Sequence, residues 1–91
     1  NTNNATMGGA LFNNLTTTIT NTQFNTNNAT WGGAIYNNNT LTVGTGPCTF
    51  NSNNAEDKGG AIYNNGTRDV DVTTIFIGNT APYGPNIYDV P

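Results

Sequence analysis

The chain has 91 residues, enough for one small domain, and its five acidic and two basic residues give a net charge of −3. Nineteen residues are Asn and seventeen are Thr, while His is absent and Cys occurs once. Two cations, Lys58 and Arg68, cannot form a phosphate-binding face, which excludes nucleic acid as a partner. No apolar run approaches the roughly 20 residues of a membrane helix, so no membrane insertion is expected. Without His, the Ser/His/Asp and Cys/His nucleophile arrangements are impossible, and zinc and most transition metals lack ligands. The composition therefore predicts a protein that is not an enzyme and holds no cofactor. Asn, Thr and Gly are also poor helix formers. The chain begins in mid-pattern, without Met or a secretion signal, which predicts a processed product or part of something longer.

The order of the residues carries a repeat. Asn1 to Asn14 reads NTNNATMGGALFNN, Asn25 to Asn38 reads NTNNATWGGAIYNN, and Asn51 to Asn65 reads NSNNAEDKGGAIYNN with one residue inserted. A weaker fourth copy, FIGNTAPYGPNIY, spans Phe76 to Tyr88. A period of 24 to 26 residues without helical patterning points to a β-solenoid. Each unit reads as three short strands between polar corners. In chain order within one unit, these are a strand around Phe24, one at Gly33 to Tyr36, and one of alternating character at Thr40 to Val43. Leu15 to Thr20 and Asp69 to Val72 repeat the last of these. Asn-Asn and Gly-Gly pairs supply the corners, where a left-handed backbone is tolerated.

The expected fold is thus all-β: a right-handed parallel β-helix of about three and a half rungs, one domain over residues 1–91 with repeats at approximately 1–23, 24–49, 50–75 and 76–91. Rungs about 4.8 Å apart would stack like on like. Leu11, Ile35, Ile62 and Ile87 would form an aliphatic column, and Phe24, Phe50 and Phe76 an aromatic one. Asn3, Asn27, Asn53 and Asn79 would form an amide ladder along the axis. Ala5, Ala29, Ala55 and Ala81 fall where a small residue fits. Phe12, Tyr36, Tyr63 and Tyr88 would form a second ring column, pointing outward. Both ends would present strand edges, blunted at one end by Pro82, Pro85 and Pro91. About three rungs are the minimum for stability, so the fragment should gain by stacking end to end.

Phe-x-x-Asn paired with Gly-Gly-Ala-Ile/Leu resembles the repeat of chlamydial polymorphic outer membrane proteins and of adhesin-like surface proteins of bacteria and archaea. The first half stands here as Phe24 to Asn27, Phe50 to Asn53 and Phe76 to Asn79. The second stands as Gly8 to Leu11, Gly32 to Ile35 and Gly59 to Ile62, with Gly84-Pro85-Asn86-Ile87 departing from it. The resemblance implies a right-handed parallel β-helix and an exported surface protein that adheres or builds structure. It implies no catalytic residue.

The remaining candidates are few. Asp69 and Asp71, with Arg68 between Thr67 and Asp69, are the only place for a Ca²⁺-assisted lyase, against a plain solvated strand face. Glu56, Asp57 and Lys58 fill the insertion and read as an exposed loop tip rather than an acid/base pair. Thr16, Thr18, Thr20, Thr40 and Thr42 form a threonine array of the kind that orders ice-like water, expected to fail where Asp69 and Asp71 enter. Cys48 shares the face of Phe50, at the position of Thr22 and Thr74, and reads as a buried thiol, with an intersubunit disulfide as the alternative. Asn4, Asn14, Asn28, Asn38 and Asn65 begin Asn-x-Thr glycosylation acceptors, no more than composition supplies by chance. Trp31, Tyr36 and Tyr63 are the candidate ligand-facing rings, with Met7 and Tyr83 at the positions equivalent to Trp31. The expected function is a non-enzymatic extracellular structural module at the cell surface, self-stacking into a filament. A face for cell-surface glycans is the alternative.

Overall fold

In the computed structural model, residues 9–44, 48–71 and 73–90 are described, and they contain strands and turns but no helix. The twelve strands are β1 (Leu11–Asn13), β2 (Thr16–Ile19), β3 (Gln23–Asn25), β4 (Asn28–Trp31), β5 (Ile35–Asn37), β6 (Thr40–Val43), β7 (Thr49–Asn51), β8 (Asn54–Lys58), β9 (Ile62–Asn64), β10 (Thr67–Val70), β11 (Ile75–Ile77) and β12 (Ile87–Asp89). Every pairing among them is parallel and joins a strand to its own copy one rung away. The sheets run β1-β5-β9-β12, β2-β6-β10, β3-β7-β11 and β4-β8. This is the parallel β-solenoid that the repeat predicts.

One feature of the rung differs from expectation. The two middle rungs carry four strands, not three, because Asn28–Trp31 and Asn54–Lys58 pair with each other. Their Asn and small residues read as a corner, yet a parallel partner at rung spacing supplies backbone bonds whatever the side chains. Asn54 N donates to Asn27 O at 2.8 Å and Ala55 N to Thr80 O at 2.9 Å. The inserted residue is absorbed here as well. Ala29 faces Ala55 but Trp31 faces Lys58, so β8 carries a bulge rather than the expected loop tip.

The aliphatic and aromatic columns fall in register as the spacing predicts. Leu11, Ile35, Ile62 and Ile87 are successive partners, as are Phe24, Phe50 and Phe76. The core is closed only around the middle rungs: Ile35, Leu41, Phe50 and Ile62 are fully buried. Leu11, Ile19, Val70, Phe76 and Ile87 pack against it half-buried, because each lies in an outer rung with a neighbour on one side.

The Gly32-Gly33 corner divides its labour. Gly32 turns the chain at φ 65°, the left-handed region that side chains disfavour. Gly33 is needed for a different reason: a Cβ there would lie 2.1 Å from Gly60 O in the next rung.

Candidate functional site

What recurs along this solenoid is a set of axial contacts. The three Phe rings stack at 4.8 and 5.2 Å between centroids, within 11° of parallel. Phe12, Tyr36, Tyr63 and Tyr88 stack on the outside at 5.1, 4.8 and 5.6 Å. Both faces of Tyr36 and Tyr63 are therefore covered by neighbouring rings, and these residues present edges and hydroxyls to water. Burial raises the Tyr63 hydroxyl pKa, with the neighbouring Tyr36 contributing next.

The expected amide ladder is buried. Asn27 donates from both its backbone N and its Nδ2 to Asn53 Oδ1, at 3.0 Å each. Asn53 repeats this onto Asn79 Oδ1 at 2.9 and 3.0 Å. Each Nδ2 also reaches back to a carbonyl one rung earlier: Asn53 to Phe24 O and Asn79 to Phe50 O, both at 2.9 Å. These bonds satisfy carboxamides that would otherwise be costly to bury. Asn3, assigned to the same ladder, lies outside the described residues, as do Asn4, Ala5 and Met7.

A second buried ladder was missed from the sequence. Asn13 Nδ2 donates to Asn37 Oδ1 and Asn37 Nδ2 to Asn64 Oδ1, both at 2.7 Å. Asn64 Nδ2 then donates to Asp89 Oδ1 at 2.9 Å. The signal was present in the Ile-Tyr-Asn order, since alternation puts Ile inward, Tyr outward and the next Asn inward again. The turn preference of Asn-Asn pairs points instead to corners. Their second members, Asn14, Asn38 and Asn65, do stand outside. They form an exposed chain of bonds at 2.8 and 2.9 Å. Those three acceptor asparagines, together with exposed Asn28, are thus on the surface.

The charged residues are not where the sequence placed them. Arg68 occupies the column of Thr17 and Leu41. Its Nε and Nη2 donate to the two Asp89 carboxylate oxygens at 2.7 and 2.8 Å. The Arg68 bond holds the Asp89 carboxyl below the usual carboxylate range, helped by Asn64, and the same bond raises the Arg68 pKa. Asp71 follows β10 and accepts from the backbone and hydroxyl of Thr73, which lowers its pKa. Asp71 is thereby engaged with Thr73 and Arg68 with Asp89, and the lyase arrangement does not assemble. Among the described residues, no three His, Cys, Asp or Glu side chains gather as a metal site.

The threonine array is larger than expected. Thr67, not Asp69, is in register with Thr16 and Thr40, and Asp69 replaces only the partner of Thr18 and Thr42. In the bulge, Trp31 Nε1 donates to Asp57 Oδ2 at 3.1 Å, and Lys58 Nζ lies 5.5 Å from the Tyr88 ring centroid. Lys58 also separates Trp31 from Tyr83 along one register line. Cys48 is free and fully buried.

Two motifs, Phe-x-x-Asn and Gly-Gly-Ala-Ile, supply the Phe and Ile columns and the first Asn ladder. The model of the Chlamydia polymorphic membrane protein repeat matches residues 47–65. That stretch is similar to the repeat. No curated protein and no solved structure matches the chain. The matched stretch spans Phe50, Asn53, the Gly59-Gly60 corner, Ile62 and Asn64, so it contributes to the Phe and Ile columns and to both Asn ladders. It is also the copy with the extra residue, which the β8 bulge accommodates.

Proposed function

We propose that the chain is a non-enzymatic, extracellular structural module of an adhesin-like β-solenoid, and that copies stack end to end into a rod. One observation supports this reading above the others: the recurring side chains are spent on contacts with their own copies one rung away. Ring meets ring and amide meets amide along the axis. Such a chain converts repetition into stiffness and leaves no recurring group for chemistry. Leu11 and Ile87 are half-buried, and a neighbouring copy would cover them. Electron microscopy of the concentrated chain tests it, with rods expected. Isolated particles at every concentration would defeat the end-to-end part.

A glycan-binding face is the second reading. It is favoured by Trp31 and Tyr83 lying two rungs apart on one line, with the Lys58 cation between them. Glycan-array binding lost in Trp31→Ala and kept in Tyr36→Ala would support it, because the Tyr36 faces are already covered.

A further inference from the structure

We propose that Asn65-Gly66 is a self-modifying corner of the solenoid. When the turn between β9 and β10 opens, the Gly66 backbone nitrogen attacks the Asn65 side-chain amide, and the intact asparagine ladder is what holds that reaction off. It is the one Asn-Gly pair in the chain. Both residues are exposed to water at the corner. Glycine carries no side chain to shield its own nitrogen, so an Asn followed by Gly has the least obstructed internal nucleophile. At the equivalent corners Asn14 and Asn38 are followed by Leu15 and Asn39, whose side chains crowd that approach.

The reaction needs no partner other than water. Gly66 N loses its proton and bonds to Asn65 Cγ, the Cγ–Nδ2 bond breaks, and ammonia leaves carrying that proton. Water then opens the cyclic imide, at Cγ to give aspartate or at the main-chain carbonyl to give isoaspartate. Aspartate forfeits only the exposed bond from Asn65 Nδ2 to Asn38 Oδ1 at 2.9 Å. Isoaspartate lengthens the main chain between two anchors on the preceding rung, Asn65 N to Asn37 O at 2.7 Å and Thr67 N to Asn39 O at 2.8 Å. Both anchors cannot then keep register, and β10 loses its alignment on β6.

The folded chain restrains both reacting groups. Gly66 N donates to Asn64 Oδ1 at 3.2 Å, and that oxygen also accepts from Asn37 Nδ2 at 2.7 Å within the buried ladder. Asn64 is 5% exposed, so water does not compete for its oxygen. A nitrogen pinned by this bond cannot turn toward Asn65 Cγ, while Asn65 Nδ2 is tied to the neighbouring rung. Substitution offers no escape, because a Cβ on residue 66 would lie 2.0 Å from Asn39 O, a backbone atom that cannot rotate aside. The corner thus keeps its reactive glycine for close packing, and the ladder sets its chemical lifetime.

The test incubates the 91-residue chain at mildly alkaline pH, folded and in guanidinium chloride. Peptide mass spectrometry follows conversion at residue 65, with isoaspartate distinguished by its chromatographic retention. Reaction through an opened corner scales with the population of the open form, so the folded chain should convert at least about tenfold more slowly than the denatured one. Asn64→Ala removes the oxygen that holds Gly66 N. It should convert faster than wild type in buffer and at the wild-type rate in guanidinium chloride, with circular dichroism reporting its fold. Equal wild-type rates in the folded and denatured states overturn the gating, whether or not Asn64→Ala folds. Conversion at Asn14 or Asn38 as fast as at Asn65 in the denatured chain overturns the choice of site.

Discussion

Asn53 Oδ1 accepts two hydrogen bonds from Asn27, one from its backbone N and one from its side chain, while lying wholly out of contact with water. The same Asn53 amide donates to Phe24 O and Asn79 Oδ1. Replacing it by Ala removes the Oδ1 that accepts from Asn27 N and Nδ2 and the donor to Phe24 O, while Asn79 Oδ1 keeps the backbone N of residue 53. Each buried group left unpaired costs about 1–3 kcal/mol. Asn53→Ala should therefore cost at least about 3 kcal/mol in urea unfolding. Asn65→Ala, which loses one exposed bond to Asn38, should cost under about 0.5 kcal/mol.

Glycines at two different corners of the rung answer differently to the same substitution. Gly33→Ala drives a methyl into Gly60 O and Asn54 O, both backbone atoms that cannot rotate away. A loss at or above about 3 kcal/mol is expected, by analogy with overpacking at its severe end. Gly78→Ala meets only Ser52 Oγ, at 3.5 Å, and pays for its φ of 61° alone, about 1–2 kcal/mol. Thermal unfolding of the two variants separates close approach from backbone strain.

Thr26 and Ser52 hold the position that Gly78 holds in the next rung, at φ 56° and 58°. A β-branched residue is disfavoured there by about 1–2 kcal/mol. Glycine relieves that strain but loses about 0.5–1 kcal/mol of unfolded-chain entropy. The difference favours the glycine. Thr26→Gly is expected to raise the urea midpoint, with a gain of about 0.5–1 kcal/mol. A lowered midpoint would mean that the exposed Thr26 side chain makes up the difference.

The register of this fold was legible because like residues recur at one period, and parallel stacking turns period into contact. Phe24, Phe50, Phe76 and the Ile column needed only counting. The Asn37 ladder was hidden by residue type: Asn usually marks a turn, and inward alternation from Ile35 was the weaker cue. The Arg68–Asp89 pair was illegible for another reason. Its members are 21 residues apart and occur once, so no repetition announces them, and only the columns of Leu41 and Asn64 reveal what they replace.

The pH dependence of stability follows from two carboxylates. Asp89 is held below the ordinary carboxylate range by Arg68, and Asp71 is lowered by Thr73. A group with a lowered folded pKa contributes stability above its unfolded pKa, and that stability fades as pH falls through the folded value. Stability should thus be flat near neutrality and decline in acid, below the usual Asp range. Amide exchange in β12 should quicken first, since Asp89 belongs to that strand. Asp89→Asn should remove most of this local acid response, and exchange in β12 that is indifferent to pH in the wild type would count against the coupling.

Cys48 gives a reading of how the whole solenoid opens. Its thiol is fully buried between rungs, with Thr74 following in the next rung at the same position. A disulfide reagent can reach it only when the surrounding rungs separate. Labelling of native protein should therefore proceed no faster than global opening, and it should accelerate with urea in parallel with loss of the β signal. Neighbouring subunits cannot pair through it while folded, so non-reducing gels should show a single monomer band. Cys48→Thr tests the environment itself. The Thr74 hydroxyl already lacks a partner among buried side-chain atoms. A second hydroxyl beneath it should cost about 1–3 kcal/mol, whereas Cys48→Ala, which loses a small apolar contact, should cost less. Equal destabilisation by Thr and Ala would show that space rather than polarity sets the choice of Cys at this rung.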